Sequence, residues 1–149
     1  CAPCESCGVR AERIKRYRVH TAPRVLALHL KRFKSTQPTR GGHSDLRKTD
    51  VKVTFPLEGL DLSSYVVGAS DDNGASASST KHAELVYDLF ALVQHTGEMG
   101  GGHYVTYVRV AGAWFRIDDW LIHRVSPADV SNGQAYMLFY SRRGDGEAW

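Results

Sequence analysis

Long apolar runs are missing from this 149-residue sequence: no stretch of roughly 18 apolar residues occurs, so no helix here is built to span a bilayer. Cysteine is scarce and badly placed for bridges. Only Cys1, Cys4 and Cys7 occur, all within the first seven residues. Thiols crowded at one end cannot form a disulfide framework, which points to a reducing compartment, cytoplasm or nucleus, and to metal or redox chemistry. Charge of one sign is lacking too. With 19 Lys and Arg against 16 Asp and Glu, the net charge of +3 is spread along the chain and makes no nucleic-acid footprint. No initiating Met, basic n-region or apolar h-region opens the sequence, so no signal peptide is visible and the reading is a piece of a longer protein. Neither a membrane nor a nucleic acid is expected as partner.

What remains is an ordinary globular composition, 42% hydrophobic and 23% charged, at the size of one domain. Most of it has strand character. Residues 24–33, RVLALHLKRF, are nearly continuously apolar, as in a strand buried on both faces. VKVTF (51–55) alternates and stops at Pro56. YDLFALVQH (87–95), HYVTYVRV (103–110), AWFRID (113–118) and AYMLFYSR (135–142) are rich in aromatic and β-branched residues and predict four more strands. Residues 60–66 have room for one helical turn. Ser126 followed by Pro127 predicts a capped helix over 126–132. Two polar segments, 34–50 and 68–83, have the composition of flexible loops within a single domain spanning 1–149.

The segment GGGHYVTY (100–107) delivers one histidine, His103, from a glycine run to the start of a strand. Glycine permits close backbone approach, so another chain can pass beside such a loop. Ala111-Gly112 is a plausible two-residue hairpin loop between 103–110 and 113–118. With that loop, facing positions sum to 223, and Asp118 shares a sheet face with His103, diagonally displaced. A three-residue loop shifts the register by one and puts Asp119 there instead. A carboxylate beside a histidine fixes its tautomer and stabilises the imidazolium, whereas the plainer reading is a hairpin with solvated charges. At the N-terminus, Cys4-Glu5-Ser6-Cys7 is a CxxC knuckle, with Cys1 to Cys4 an overlapping second one. Two thiolates at that spacing hold half of a tetrahedral zinc site; the plainer alternative is unpaired surface thiols.

Several blocks taken together resemble the ubiquitin-specific proteases. CESCGVRAERIKRYRVHTAPRVLALHLKRF (4–33) is similar to that family's CxxC, lysine, proline and LKRF series, through Cys7, Lys15 and Pro23. LFALVQHTGEMGGGHYVTYVR (89–109) resembles its histidine box, with the HxG of His95 and Gly97 and the GHY of Gly102 to Tyr104. WFRIDDWLIHRVS (114–126) and AYMLFYSRR (135–143) resemble its last two blocks. The resemblance implies an α+β, mostly antiparallel fold: the palm and part of the fingers of a papain-like cysteine peptidase, present as a fragment. It implies hydrolysis of the isopeptide bond after the C-terminal glycine of ubiquitin, with ubiquitin and ubiquitinated proteins as partners. On it, His103 is the general base, Asp118 the orienting acid and Asp119 a helper. Gly101, Gly102 and Tyr104 flank the channel for a Gly-Gly tail, although Tyr104 equally suits a core aromatic on a strand. Cys4 and Cys7 become half of a structural Zn2+ site, and Cys1 has no assigned counterpart.

The family's nucleophile block, of the type GLxNLGNTCYMN, has no match here, and none of the three cysteines has its context. The resemblance therefore implies the C-terminal half of a catalytic domain, inactive alone. Two readings stay open: a thiol-dependent deubiquitinase whose base and acid lie in this chain, and a non-catalytic ubiquitin-binding module without the nucleophile. A zinc-knuckle nucleic-acid binder is disfavoured by the mild charge.

Overall fold

The computed structural model describes residues 3, 6–10, 16–35, 46–67, 85–98 and 101–144. Nine strands are found among them: β1 (Val25–His29), β2 (Phe33–Ser35), β3 (Leu46–Lys48), β4 (Leu60–Asp61), β5 (Val86–Glu98), β6 (Gly101–Val110), β7 (Ala113–Asp118), β8 (Leu121–Val125) and β9 (Ala135–Arg142). One 3-10 turn, Ser63–Tyr65, and one short helix, α1 (Pro127–Asn132), complete the set. The main sheet runs β1-β9-β5-β6-β7-β8, with β4 also paired to β5, and every pairing is antiparallel. Its centre is the β5–β6–β7–β8 meander, made by successive hairpins, and β9 returns to pair with β5 on the other side.

The sheet is covered on one face. Tyr87, Leu89 and Leu92 of β5, Val105 and Tyr107 of β6, Trp114 of β7 and Tyr140 of β9 point into one core with Phe55 and Val130. Val130 arrives on α1, whose start is fixed by a reciprocal capping box. The Ser126 side chain accepts from the Asp129 amide, and the Asp129 carboxylate accepts from the Ser126 amide at 2.9 Å. The buried phenols are satisfied: Tyr87 donates to the Pro23 carbonyl at 2.6 Å and Tyr140 to that of Pro56 at 2.9 Å. Burial pushes the Tyr140 hydroxyl up to about 12. Leu92 is 0% exposed at the middle of the sheet. Leu92→Ala is expected to lower stability by about 2–5 kcal/mol in chemical unfolding, as for other fully buried leucines. An effect under about 1 kcal/mol would mean that this face is not the core.

On the opposite face, Ala27, Phe139, Ala91, Val108 and Phe115 stand side by side across β1, β9, β5, β6 and β7. Apart from the exposed Ala27 these are only half buried. That arrangement corrects the expectation for 24–33. β1 is not buried on both faces: it lies at the sheet edge beside β9, Leu26 and Leu28 pack on the core, and Val25 is 43% exposed. A continuous apolar run served one covered face and one open one.

Residues 51–55 form no strand. Their alternation instead tracks burial, with Phe55 inside and Val53 partly so, while Arg32 supplies the hydrogen bonds a ladder would give. The buried Arg32 guanidinium donates from Nε to the Ala135 carbonyl at 2.6 Å, and from one terminal nitrogen to the Thr49 and Val51 carbonyls at 3.1 and 2.9 Å. The loop expected at 34–50 is ordered at both ends, where Phe33–Ser35 pairs with Leu46–Lys48; its middle, and the loop expected at 68–83, lie outside the described residues. β8 is a strand beyond those the sequence predicts. It follows a tight turn at Asp119-Trp120 that contains no glycine, with Asp119 itself at φ 53°. Asp is among the few side chains that tolerate this region, and the Asp118-Asp119 pair was the available signal.

Candidate functional site

The β6–β7 hairpin decides which carboxylate meets His103. Ala111 and Gly112 both have positive φ, 47° and 76°, as a two-residue loop of the I′ kind demands. Val110 faces Ala113 and Thr106 faces Ile117, so facing positions sum to 223. Asp118 therefore lies on the face of Val105, Tyr107 and His103. His103 Nε2 lies 2.5 Å from Asp118 Oδ1. The second oxygen of Asp118 accepts from an Arg116 guanidinium nitrogen at 2.6 Å. Both oxygens are engaged, so the carboxylate is fixed in rotation as well as in position.

The charges act on one another in a definite order. The Asp118 hydrogen bond raises the His103 imidazole above its ordinary value; desolvation opposes this, and the charge of Asp119 assists it. Asp118 is held below the usual carboxylate range, first by His103 and then by Arg116. With Nε2–H donated to Asp118, Nδ1 carries the ring's lone pair and is the basic atom. The imidazole is about half exposed, open to an incoming group. One ligand atom from each of His103, Asp118 and Asp119 lies within 4.8 Å of the others.

The remaining candidates fall into two groups. Gly101, Gly102 and Tyr104 line the same hairpin as His103. Tyr104 is 53% exposed, with its ring against His95 at 4.7 Å, so it is not a core aromatic. Cys4 and Cys1 lie outside the described residues. Cys7 is exposed and free, in a turn followed by Gly8 at φ 67°, and Pro3 bridges Arg10 antiparallel. Two further residues that touch this site are absent from the sequence-based candidates. Arg116 holds Asp118, and Lys48 donates to the carbonyls of His95 and Gly97 at 2.9 and 3.0 Å, tying the β2–β3 ladder to the hairpin of His103. Alternating Arg116 with Asp118 on one strand face was the available signal for the first.

The family described as ubiquitin carboxyl-terminal hydrolase matches residues 1–140. The chain belongs to this family. Among its relatives, ubiquitin carboxyl-terminal hydrolase 12 of Saccharomyces cerevisiae is 37% identical over 142 residues, covering 94% of this chain and 10% of that protein. Human ubiquitin carboxyl-terminal hydrolase 3 is 34% identical over 138 residues, covering 92% of this chain and 24% of that protein. The SAGA Ubp8/Sgf11/Sus1/Sgf73 DUB module bound to ubiquitin aldehyde is a structural neighbour at 30% identity and TM-score 0.76, covering 95% of this chain and 29% of that one. The chain thus spans roughly a tenth to a quarter of these family members' sequences. The mostly antiparallel sheet with few helices is the fold of those neighbours, of whose domain this chain corresponds to a part.

Proposed function

We propose that this chain supplies the general base and the orienting acid of a cysteine-type deubiquitinase, whose nucleophile lies on a segment outside these 149 residues. The observation that carries the proposal is the His103–Asp118–Arg116 array at the end of the β6 hairpin, in a chain of the ubiquitin hydrolase family. His103 Nδ1 takes the thiol proton, and the resulting thiolate attacks the carbonyl carbon of ubiquitin's terminal glycine. The tetrahedral intermediate collapses with His103 giving that proton to the departing lysine amine, which leaves an acyl-enzyme thioester. Water, deprotonated by the same nitrogen, hydrolyses the thioester and frees the ubiquitin carboxylate and the thiol. Asp118 keeps Nε2–H pointed away from the nucleophile and stabilises the imidazolium at each stage. Gly101 and Gly102 flank the path of a tail without side chains: Gly101 has open space where a Cβ would stand, that of Gly102 is taken by the His95 ring, and Tyr104 walls the path.

The half-buried apolar row from Phe139 to Phe115 fits this reading, because it is the kind of surface that a larger domain covers. A full-length protein bearing this chain is expected to be labelled by ubiquitin carrying a C-terminal thiol-reactive group, and to cleave a ubiquitin–lysine isopeptide. Ubiquitin binding without labelling or cleavage would favour the non-catalytic module. Failure to bind, label or cleave would overturn both readings.

Cys4 and Cys7, at CxxC spacing, are proposed as two ligands of a structural Zn2+ completed by residues outside this chain. About one zinc per full-length protein is expected by metal analysis, with loss of that metal in Cys4→Ser plus Cys7→Ser. Zinc content unchanged by the double substitution would defeat the assignment.

A further inference from the structure

We infer that His95, the other histidine of this hairpin, is a positioning residue whose buried ring sets the backbone from which His103 projects. The inference rests on the reading of His103 as base. His95 faces Tyr104 across the β5–β6 ladder, and Gly97 faces Gly102, so the His95 ring extends diagonally toward Gly102. It is 6% exposed. Three aromatic rings confine it: Tyr104 at 4.7 Å, Phe33 edge-on at 5.4 Å and Tyr136 at 6.1 Å. A Cβ added at Gly102 would fall deep inside the His95 imidazole, nearest to Nε2 and then Cε1 and Cδ2. The ring therefore rests on the bare Cα of Gly102, one peptide before His103.

That contact is steric in origin. Among the described residues the buried His95 Nδ1 has no hydrogen-bond partner, so no polar network there holds the ring. Its carbonyl is fixed from the other side by the Lys48 ammonium, which also binds the Gly97 carbonyl. Gly97 has φ 97°, and a Cβ there would meet the Gly101 carbonyl at 2.8 Å. Each glycine of the pair Gly97–Gly102 is thus required by a different neighbour, and for Gly102 that neighbour is His95. Without the ring, only the β5–β6 ladder to Thr96, Gly97 and Glu98 steadies the Gly102 peptide among the described residues, and that edge is free to sag toward the space the ring vacates. His103 Nδ1 would move with it, and a displacement on the order of 1 Å at a catalytic group costs roughly 10²-fold in rate.

The test is a double-substitution cycle in the full-length protein: Gly102→Ala, His95→Ala and both together. Thermal unfolding without ubiquitin comes first, since no effect on the tail enters it. Gly102→Ala is expected to lower Tm by about 3 °C or more, and to cost less than about 1 °C when His95 is already alanine. Equal shifts in the two backgrounds would overturn the contact. On a ubiquitin C-terminal amide substrate, His95→Ala is expected to lower kcat roughly 10²-fold with KM within about twofold, and His95→Phe, which restores a flat ring and removes the unpaired nitrogen, to recover most of it. A loss carried in KM, or one not recovered by phenylalanine, would reduce His95 to a packing residue. A wild-type protein that cleaves no ubiquitin derivative sinks the reading of His103 and the positioning role with it, whatever the Tm cycle shows.

Discussion

His103→Ala in the full-length protein is expected to lower kcat for ubiquitin–lysine isopeptide hydrolysis by about 10³–10⁴-fold while leaving ubiquitin affinity within a few-fold, as loss of a general base does in hydrolytic triads. The size follows from the role proposed for the residue at two points, taking a proton from the thiol and returning it to the amine. The separation from folding follows from where it sits. Its side chain is about half exposed near the start of β6, outside the core built by Leu92, Tyr107 and Trp114, so Tm is expected to stay within about 2 °C. Two measurements decide it together: the single-turnover rate and the unfolding midpoint. Undiminished cleavage would remove His103 from the mechanism. A large drop in Tm with the lost activity would show that the substitution acts through the fold.

The features legible in the sequence were those written locally. Ala111-Gly112 marked the hairpin turn and narrowed the partner of His103 to Asp118 or Asp119, between which the structure's two-residue loop decides, and Ser126-Pro127 marked the start of α1. Turn chemistry and caps act within a few residues, so sequence alone carries them. What escaped was written in contacts between distant segments. Arg32 holds Thr49 and Val51 by their carbonyls and reaches Ala135 as well, so 51–55 needs no ladder. Lys48 joins a short hairpin to carbonyls almost fifty residues away. The fit of the His95 ring on Gly102 is equally invisible, because a glycine before a histidine reads the same whether it makes way for substrate or for a neighbouring ring. β8 lies between: its Asp-containing turn is a local signal, but the exposed residues Leu121 to Arg124 show no alternation to mark the strand.

The two adjacent acids separate cleanly. Asp118→Ala is expected to reduce kcat about 10²–10⁴-fold, because it removes the acceptor that selects the tautomer and stabilises the imidazolium. Asp119→Ala is expected to cost less than about tenfold, since Asp119 is exposed and acts on His103 through its charge across solvent. The pH profile adds an independent sign. The folded His103 is raised above its ordinary value, mainly by the Asp118 hydrogen bond, so it keeps its proton to higher pH than a free imidazole. Asp118→Asn removes the carboxylate charge, with Arg116 and Asp119 still facing the ring, one lowering and the other raising its affinity for protons. On the proposed mechanism the imidazolium that partners the thiolate is then lost at lower pH, and the alkaline limb of the kcat profile is expected to move down in pH. Removing Asp119 moves it in the same direction by less, and salt shrinks that smaller shift because it is unshielded by any hydrogen bond to the ring. Rates and pH limbs that respond more to Asp119 than to Asp118 would show that the working register is the three-residue one, with the hairpin slipped by one position at the site.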